Sequence, residues 1–406
     1  MNRFLTALTY TALIASATPR ATAQATTPRS AWREGQPRAC LKNGDQLLGW
    51  FKERAKNLGP AGKLRVLIIG DSLSDGGTWA QYFRRGLQTA YGDGGPGNIW
   101  ATQPGDAPGR GSAPEWLFTA ADFTRYIGPK GVWRDGWSWR GDIWPYLGLN
   151  GGFLATDSPD AEYFVEAMGS RFTIVHSSGT FTTFDGQPIE NRAAGFTATF
   201  DGQSKVTPPA APGETLGIGL THFEAPEGPH RLHIHSVNGG TLYFHGVLVE
   251  KAAPGIVVYN LSRGGYAPHN FIWRQPGWEK ILTEINPDLT IIFLSKPESG
   301  ASAGPSDSRP NVESEMLVTR ITRALSQTKL LFVINWAPRD GISEFDAEAA
   351  KSRISWYESH GYPYLNLEEG LDSAAMKELG WFSDGIHLTS AGGQGTGEAV
   401  TKLFLP

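Results

Sequence analysis

The chain has 406 residues, with 36 Lys and Arg against 40 Asp and Glu for a formal charge of −4, and it carries no basic stripe, which argues against a nucleic-acid binder. Its 50 Gly and 27 Pro make up about a fifth of the sequence, below the roughly 25–30% of low-complexity chains, so a loop-rich globular protein is expected. A single cysteine, Cys40, excludes an internal disulfide and a cysteine-based zinc site.

The first element is an export signal. Arg3 supplies a positive start, and residues 4–17 are mostly apolar and small, too few for the roughly 20 that span a bilayer. Ala21-Thr22-Ala23 has the small-residue pattern of a cleavage site, so residues 1–23 are expected to be removed. Residues 24–39, rich in Thr, Pro and Arg, read as a flexible lead-in. No later stretch has the length and apolarity of a membrane span. The expected location is therefore the bacterial periplasm or the extracellular space.

Residues 40–60 predict a helix, with Leu47, Leu48, Phe51 and Ala55 at helical spacing. Residues 64–69 form a short apolar run ending at Gly70, as a buried parallel strand would. Residues 79–91 predict a second helix. Residues 92–150 are rich in Gly, Pro and Trp and show little periodicity. The rhythm then changes to short β-prone runs at 163–168, 171–177, 195–200, 216–223, 231–236 and 241–250. Asp201-Gly202, Glu227-Gly228-Pro229 and Asn238-Gly239-Gly240 separate them as turns, the pattern of a β-sandwich or jelly roll. From Gly255 the α/β rhythm returns, with strands expected at 256–260, 289–294 and 330–335 and helices at 313–325 and 346–360. The expected organisation is an α/β domain in two parts, 40–150 and 254–406, interrupted by a β-sandwich over 151–253.

Two short motifs carry chemistry. Ser72 follows the first strand at a glycine turn, which places it at the carboxyl end of the sheet, where open α/β sheets keep their sites. A hydroxyl needs a base to become a nucleophile, and that base is best a histidine oriented by a carboxylate. Asp384 and His387 are three residues apart near the end of the chain. That spacing lets the carboxylate hold one ring nitrogen while the other faces Ser72.

Gly70-Asp71-Ser72-Leu73 after a first strand, with Asp384-Gly385-Ile386-His387 near the C-terminus, resembles the SGNH (GDSL) hydrolase superfamily. Ser383 to Gly392 is similar to the last block of that family. The run Tyr91-Gly-Asp-Gly-Gly-Pro-Gly97 resembles members that act on bacterial polysaccharides. In some of these, including peptidoglycan O-acetylesterases, a β-sandwich resembling a carbohydrate-binding module interrupts the hydrolase. The resemblance implies a three-layer α/β/α fold with a parallel sheet. It also implies ester hydrolysis through an acyl-serine on Ser72, with His387 and Asp384, and without metal or other cofactor.

The middle of the chain departs from the family. Where a glycine N–H serves the oxyanion hole, the best register places Ser262. Where an asparagine is usual after the next strand, Pro297 stands, and proline has no N–H donor. Losing one such donor typically lowers turnover by about 10²–10³. Lys296 is the candidate cationic replacement, against the alternative of a solvated loop lysine.

Other side chains have competing readings. Trp100, Trp116, Trp133, Trp137, Trp139 and Trp144 crowd one segment. They suit either packing of glycine-rich loops or a glycan groove, with Trp137 and Trp139 as its candidates. His233 and His235 alternate on one strand face, but no acid is spaced to complete a metal site. An exposed polar face is the expectation, and no metal. The function expected is removal of O-acetyl or other short acyl groups from a bacterial polysaccharide. O-acyltransfer in exopolysaccharide modification, and a degenerate polysaccharide-binding or secretion-complex partner, stand as alternatives.

Overall fold

The computed structural model describes residues 31–33, 36–75, 78–101, 125–130, 134–135, 148–182, 188–273, 276–294, 311–341 and 344–406. The expected signal and its cleavage site, most of the lead-in, Trp137, Trp139, Lys296 and Pro297 lie outside the described residues.

The strand Lys63–Gly70 is apolar along nearly its whole length because both faces are covered. Leu64, Val66 and Ile68 point into a core with helices Asp45–Lys56, Thr78–Tyr91 and Ser390–Phe404. Leu67 and Ile69 point the other way, toward helices Trp278–Ile285 and Val312–Ala324. This alternation produces three layers. The six-stranded sheet runs Leu41–Lys42, Tyr364–Asn366, Lys329–Ile334, Leu289–Phe293, Lys63–Gly70, Gly255–Asn260. All neighbours are parallel except the two-residue edge strand, which lies antiparallel to Tyr364–Asn366. Lys63–Gly70 is followed in this sheet by Gly255–Asn260 on one edge and Leu289–Phe293 on the other. The order reverses there, so a crevice opens at the carboxyl end of Lys63–Gly70.

Between these two halves the chain builds a nine-stranded antiparallel sheet. It begins before residue 151, because Gly97–Trp100, Arg125–Lys130 and Arg134–Asp135 all pair into it. The runs at 163–168 and 171–177 are one strand, Glu162–Ser178, and those at 216–223 and 231–236 are one strand, Gly217–Asn238. The expected turn at Glu227-Gly228-Pro229 is instead a register shift between Glu224 and Gly228. Such a bulge bends a ribbon without ending its pairing. Phe172, Phe196, Phe200, Phe223, Leu232 and Phe244 belong to one buried cluster within this sheet.

The two sheets meet through apolar and ionic contacts. Val175, Ile218 and Leu248 join the α/β core beside Tyr259 and Trp278. Next to them Arg65 grips Glu250 through Nε and Nη2 of one guanidinium edge, at 2.6 and 3.0 Å, and the Tyr259 hydroxyl donates to the same carboxylate at 2.5 Å. Glu250 is buried, so its charge depends on these partners. Arg65→Met should lower stability by about 3 kcal/mol, because it leaves a buried carboxylate short of its main partner. Tyr259→Phe should cost about 1–2 kcal/mol. Denaturant unfolding checks the ordering; equal losses would show that the ion pair does not hold the sheets together.

Candidate active site

The turn after Lys63–Gly70 is wound by its own polar groups. The Asp71 carboxylate accepts the Leu73 N–H at 2.9 Å, and the Asp71 carbonyl accepts the N–H groups of Ser74 and Asp75 at 3.1 and 2.8 Å. Asp71 is buried and structural. Ser74 accepts the Trp79 indole N–H at 3.0 Å. Gly70 is required: a Cβ there would lie 2.7 Å from Ser262 Oγ and 2.9 Å from the Phe293 carbonyl. The turn therefore sits tight on the sheet and leaves Ser72 half-buried at the crevice.

His387 reaches it from the far end of the chain. Its Nε2 is 2.8 Å from Ser72 Oγ, and its Nδ1 is 2.7 Å from Asp384 Oδ2. The other oxygen of Asp384 accepts the N–H groups of Ile386 and His387 at 2.9 and 2.8 Å. One carboxylate thus shapes the loop and orients the ring at once. The loop is anchored from outside by the Trp336 indole N–H on the Ile386 carbonyl, at 2.9 Å, and by the Arg339 N–H on the Gly385 carbonyl, at 2.8 Å. Beneath it, Phe293 packs between Trp336 and Trp79, with ring centroids 5.6 and 5.8 Å away. The turn bearing Ser72 and the loop bearing His387 therefore share one aromatic floor. Neither Trp336 nor Arg339 was visible as a site residue in the sequence, since each bonds a main-chain carbonyl of the distant loop.

Ser262 is placed beside the turn, with its hydroxyl unpaired among the described residues. Its N–H is spent on Asn260 Oδ1 at 3.1 Å, and its buried hydroxyl packs against Gly70. Counting from the strand end could not show that a neighbouring amide accepts that N–H. Three other bonds from the same loop clasp the turn. The Asn260 side chain donates to the Ser74 carbonyl at 2.7 Å, the Gly264 N–H to Asp75 at 2.7 Å, and the Arg263 N–H to the Gly70 carbonyl at 2.9 Å. Gly265 follows with φ +83° and open space where a Cβ would stand. Its N–H makes no hydrogen bond among the described residues.

The remaining candidates lie elsewhere. Of the six clustered tryptophans only Trp100 is described, and its indole N–H donates to the Asn260 carbonyl at 3.0 Å. His233 and His235 stack face to face at 4.4 Å between centroids, on a strand of the antiparallel sheet. Glu162 lies 3.3 Å from His233 Nε2, a partner the spacing had not suggested. Among the described residues no group of three His, Cys, Asp or Glu is arranged to hold a metal ion.

Burial alone would raise the Asp384 carboxyl, but hydrogen bonds from Ile386, His387 and the imidazole outweigh it and hold the carboxyl down to about 2. A carboxyl lowered on folding contributes stability above its ordinary range and loses it as pH falls toward 2. Asp384 therefore stays ionised throughout pH 4–9, and no inflection in that window belongs to it. Asp384→Asn removes the charge and offers the ring an ambiguous partner, so turnover should fall about 10²–10⁴-fold. Steady-state kinetics against a simple acyl ester measure this, and a loss under about threefold would show that Asp384 only shapes its loop.

No protein-family model matches the sequence, and no curated protein matches it. Solved structures do match. One described as a peptidoglycan O-acetylesterase in action aligns over 92% of this chain and 97% of its own, with a TM-score of 0.60 at 16% identity. A family two carbohydrate esterase from Clostridium thermocellum, in complex with cellohexaose, aligns over 69% of this chain and 97% of its own at 11% identity, with a TM-score of only 0.29. The mixed α/β fold, a parallel sheet with helices on both faces together with an antiparallel sheet, is thus shared with the first of these along nearly the whole of both chains.

Proposed function

We propose that this chain is an exported serine esterase that removes O-acetyl or other short acyl groups from a bacterial polysaccharide. The observation that carries the reading is the unbroken chain of hydrogen bonds Ser72–His387–Asp384, at 2.8 and 2.7 Å, at the switch point of the sheet. Ser72 Oγ attacks the ester carbonyl while His387 Nε2 takes its proton. The same nitrogen then returns the proton to the departing sugar oxygen. Water, deprotonated by His387, releases the acid from Ser72. Asp384 keeps the proton of His387 on Nδ1, so that Nε2 is the base.

The tetrahedral oxyanion is assigned to the N–H of Ser72 and the N–H of Gly265, which face no acceptor among the described residues. Lys296 remains a candidate for a third donor in place of the side chain absent at Pro297. The likeness in fold to a peptidoglycan O-acetylesterase supports a glycan ester as substrate. A periplasmic or secreted location follows from the expected signal, and among the described residues no helix is long and apolar enough to cross a membrane. Aromatic residues of the 99–146 segment, Trp137 and Trp139 among them, are the proposed sugar contacts, and an exopolysaccharide synthesis or secretion complex is a proposed setting.

The test is hydrolysis of p-nitrophenyl acetate by the chain lacking residues 1–23, with Ser72→Ala alongside. Turnover should be present and should drop in the variant by at least about 10³-fold. Equal rates in the two proteins would remove Ser72 as nucleophile and favour the polysaccharide-binding alternative. With an acetylated glycan and an added acceptor, free acetate supports the esterase. Acetyl on the acceptor supports the transferase, which uses the same acyl-serine.

A further inference from the structure

The glycine-rich run 91–97 has no part in the chemistry above, yet its geometry is specific. Gly94 N–H donates to the Ile256 carbonyl at 3.0 Å, and Ile256 N–H to the Gly92 carbonyl at 2.9 Å. The run thus lies along the outer edge of strand Gly255–Asn260. A Cβ at Gly97, where φ is +84°, would be 2.1 Å from the Val258 carbonyl oxygen. Only glycine fits so close to a neighbouring strand.

Immediately afterwards the chain leaves for the other sheet. Gly97–Trp100 pairs antiparallel with Gly246 to Val249. Its backbone belongs to the antiparallel sheet, but two of its side chains turn back to the α/β domain. Asn98 Oδ1 accepts the Asn260 N–H at 2.6 Å, and Asn98 Nδ2 donates to the Asn260 carbonyl at 3.0 Å. The amide side chain pairs with both main-chain groups of one residue, as a neighbouring strand would. The Trp100 indole N–H adds a third bond, to the same carbonyl. Asn260 in turn uses its own side chain on the turn that carries Ser72, through the Ser74 carbonyl, and on the Ser262 N–H. Two residues and the turn therefore stand in series: Asn98 fixes Asn260, and Asn260 fixes the nucleophile turn.

We infer that Asn98 is a positioning residue for Ser72, by which the antiparallel sheet sets the reactivity of the nucleophile. The inference rests on the proposed acyl-serine chemistry. Freeing Asn260 from Asn98 lets the 260–265 loop shift, and with it the Ser72 turn and the Gly265 N–H that the loop presents. Misplacement of about 1 Å at a reacting group costs up to about 10²-fold in rate. Asn98 bonds Asn260 and not the Ser72 turn itself, so the loss should fall on kcat and spare KM.

The experiment compares wild type, Asn98→Ala, Asn98→Asp and Trp100→Phe in the chain lacking residues 1–23. One readout is the rate of labelling by a fluorophosphonate probe. In that step the Ser72 Oγ–phosphorus bond forms, fluoride leaves and His387 takes the hydroxyl proton. The other readout is kcat and KM for p-nitrophenyl acetate, with thermal unfolding followed on each variant. Asn98→Ala should slow labelling and kcat about 10–100-fold, with KM within about twofold and the pH midpoint of kcat unchanged. Asn98→Asp, which sets a carboxylate oxygen against the Asn260 carbonyl, should lose at least as much. Trp100→Phe keeps an aromatic side chain and removes one of two donors to that carbonyl, so it should lose less than Asn98→Ala; this variant carries the test if Asn98→Ala fails to fold. Labelling at the wild-type rate in folded Asn98→Ala, or losses that only track the folded fraction, would overturn the inference. Absence of labelling in the wild type would overturn the acyl-serine reading first, and the inference with it.

Discussion

Strand Lys63–Gly70 is the constraint on which the rest of the molecule depends. It is hydrogen-bonded along both edges to strands that the chain reaches only after building the whole antiparallel sheet. Until those pairings close, the turn bearing Ser72 has no partner loop, no aromatic floor and no histidine. Closing such a large loop costs entropy that grows only slowly with length, and the inserted sheet carries a buried cluster of its own within that loop. The Arg65–Glu250 pair belongs to the same solution. Arg65 lies on the strand that leads to the Ser72 turn, and Glu250 ends the last strand of the insertion, just before the chain re-enters the parallel sheet. The ion pair therefore closes the insertion at the place where the α/β domain resumes.

Much of this was legible in the sequence where the determinants are local. The strand before Gly70 shows its burial in an unbroken apolar run. Asp384 and His387 show their partnership in a three-residue spacing that a single loop can satisfy. The motifs name Ser72 and His387, but only the closed parallel sheet brings them within a hydrogen bond. What was not legible depended on side chains bonding to distant main chain. Strand-end counting sees the Ser262 N–H and not the Asn260 amide oxygen that accepts it. Asn98 gave no signal, because its partner is 162 positions away. The two longest strands were read as pairs of short ones, because turn-forming residues such as Gly228 and Pro229 here sit beside a bulge in a continuing ladder.

The candidate site divides its labour between exposed and buried groups. Asp384 stands largely in solvent, yet its carboxylate is held by two main-chain donors and a ring, so geometry and not burial keeps it charged. The supporting residues are the reverse. Trp336, Phe293 and Trp79 are almost fully buried and carry no charge into the site. Polar precision at the surface resting on an apolar floor lets the crevice stay open without softening the turn beneath it.

The glycine-rich run beside Gly255–Asn260 has one more effect. A parallel sheet ends in a strand with unpaired main-chain groups, which invites another chain to pair with it. Here the run 92–94 occupies that edge with hydrogen bonds of its own. The opposite edge is finished by a strand only two residues long, laid antiparallel. The sheet is thus sealed on both sides by pieces too short or too bent to template further growth. For a chain whose pairings form between distant segments, this is a built-in guard against self-association during folding.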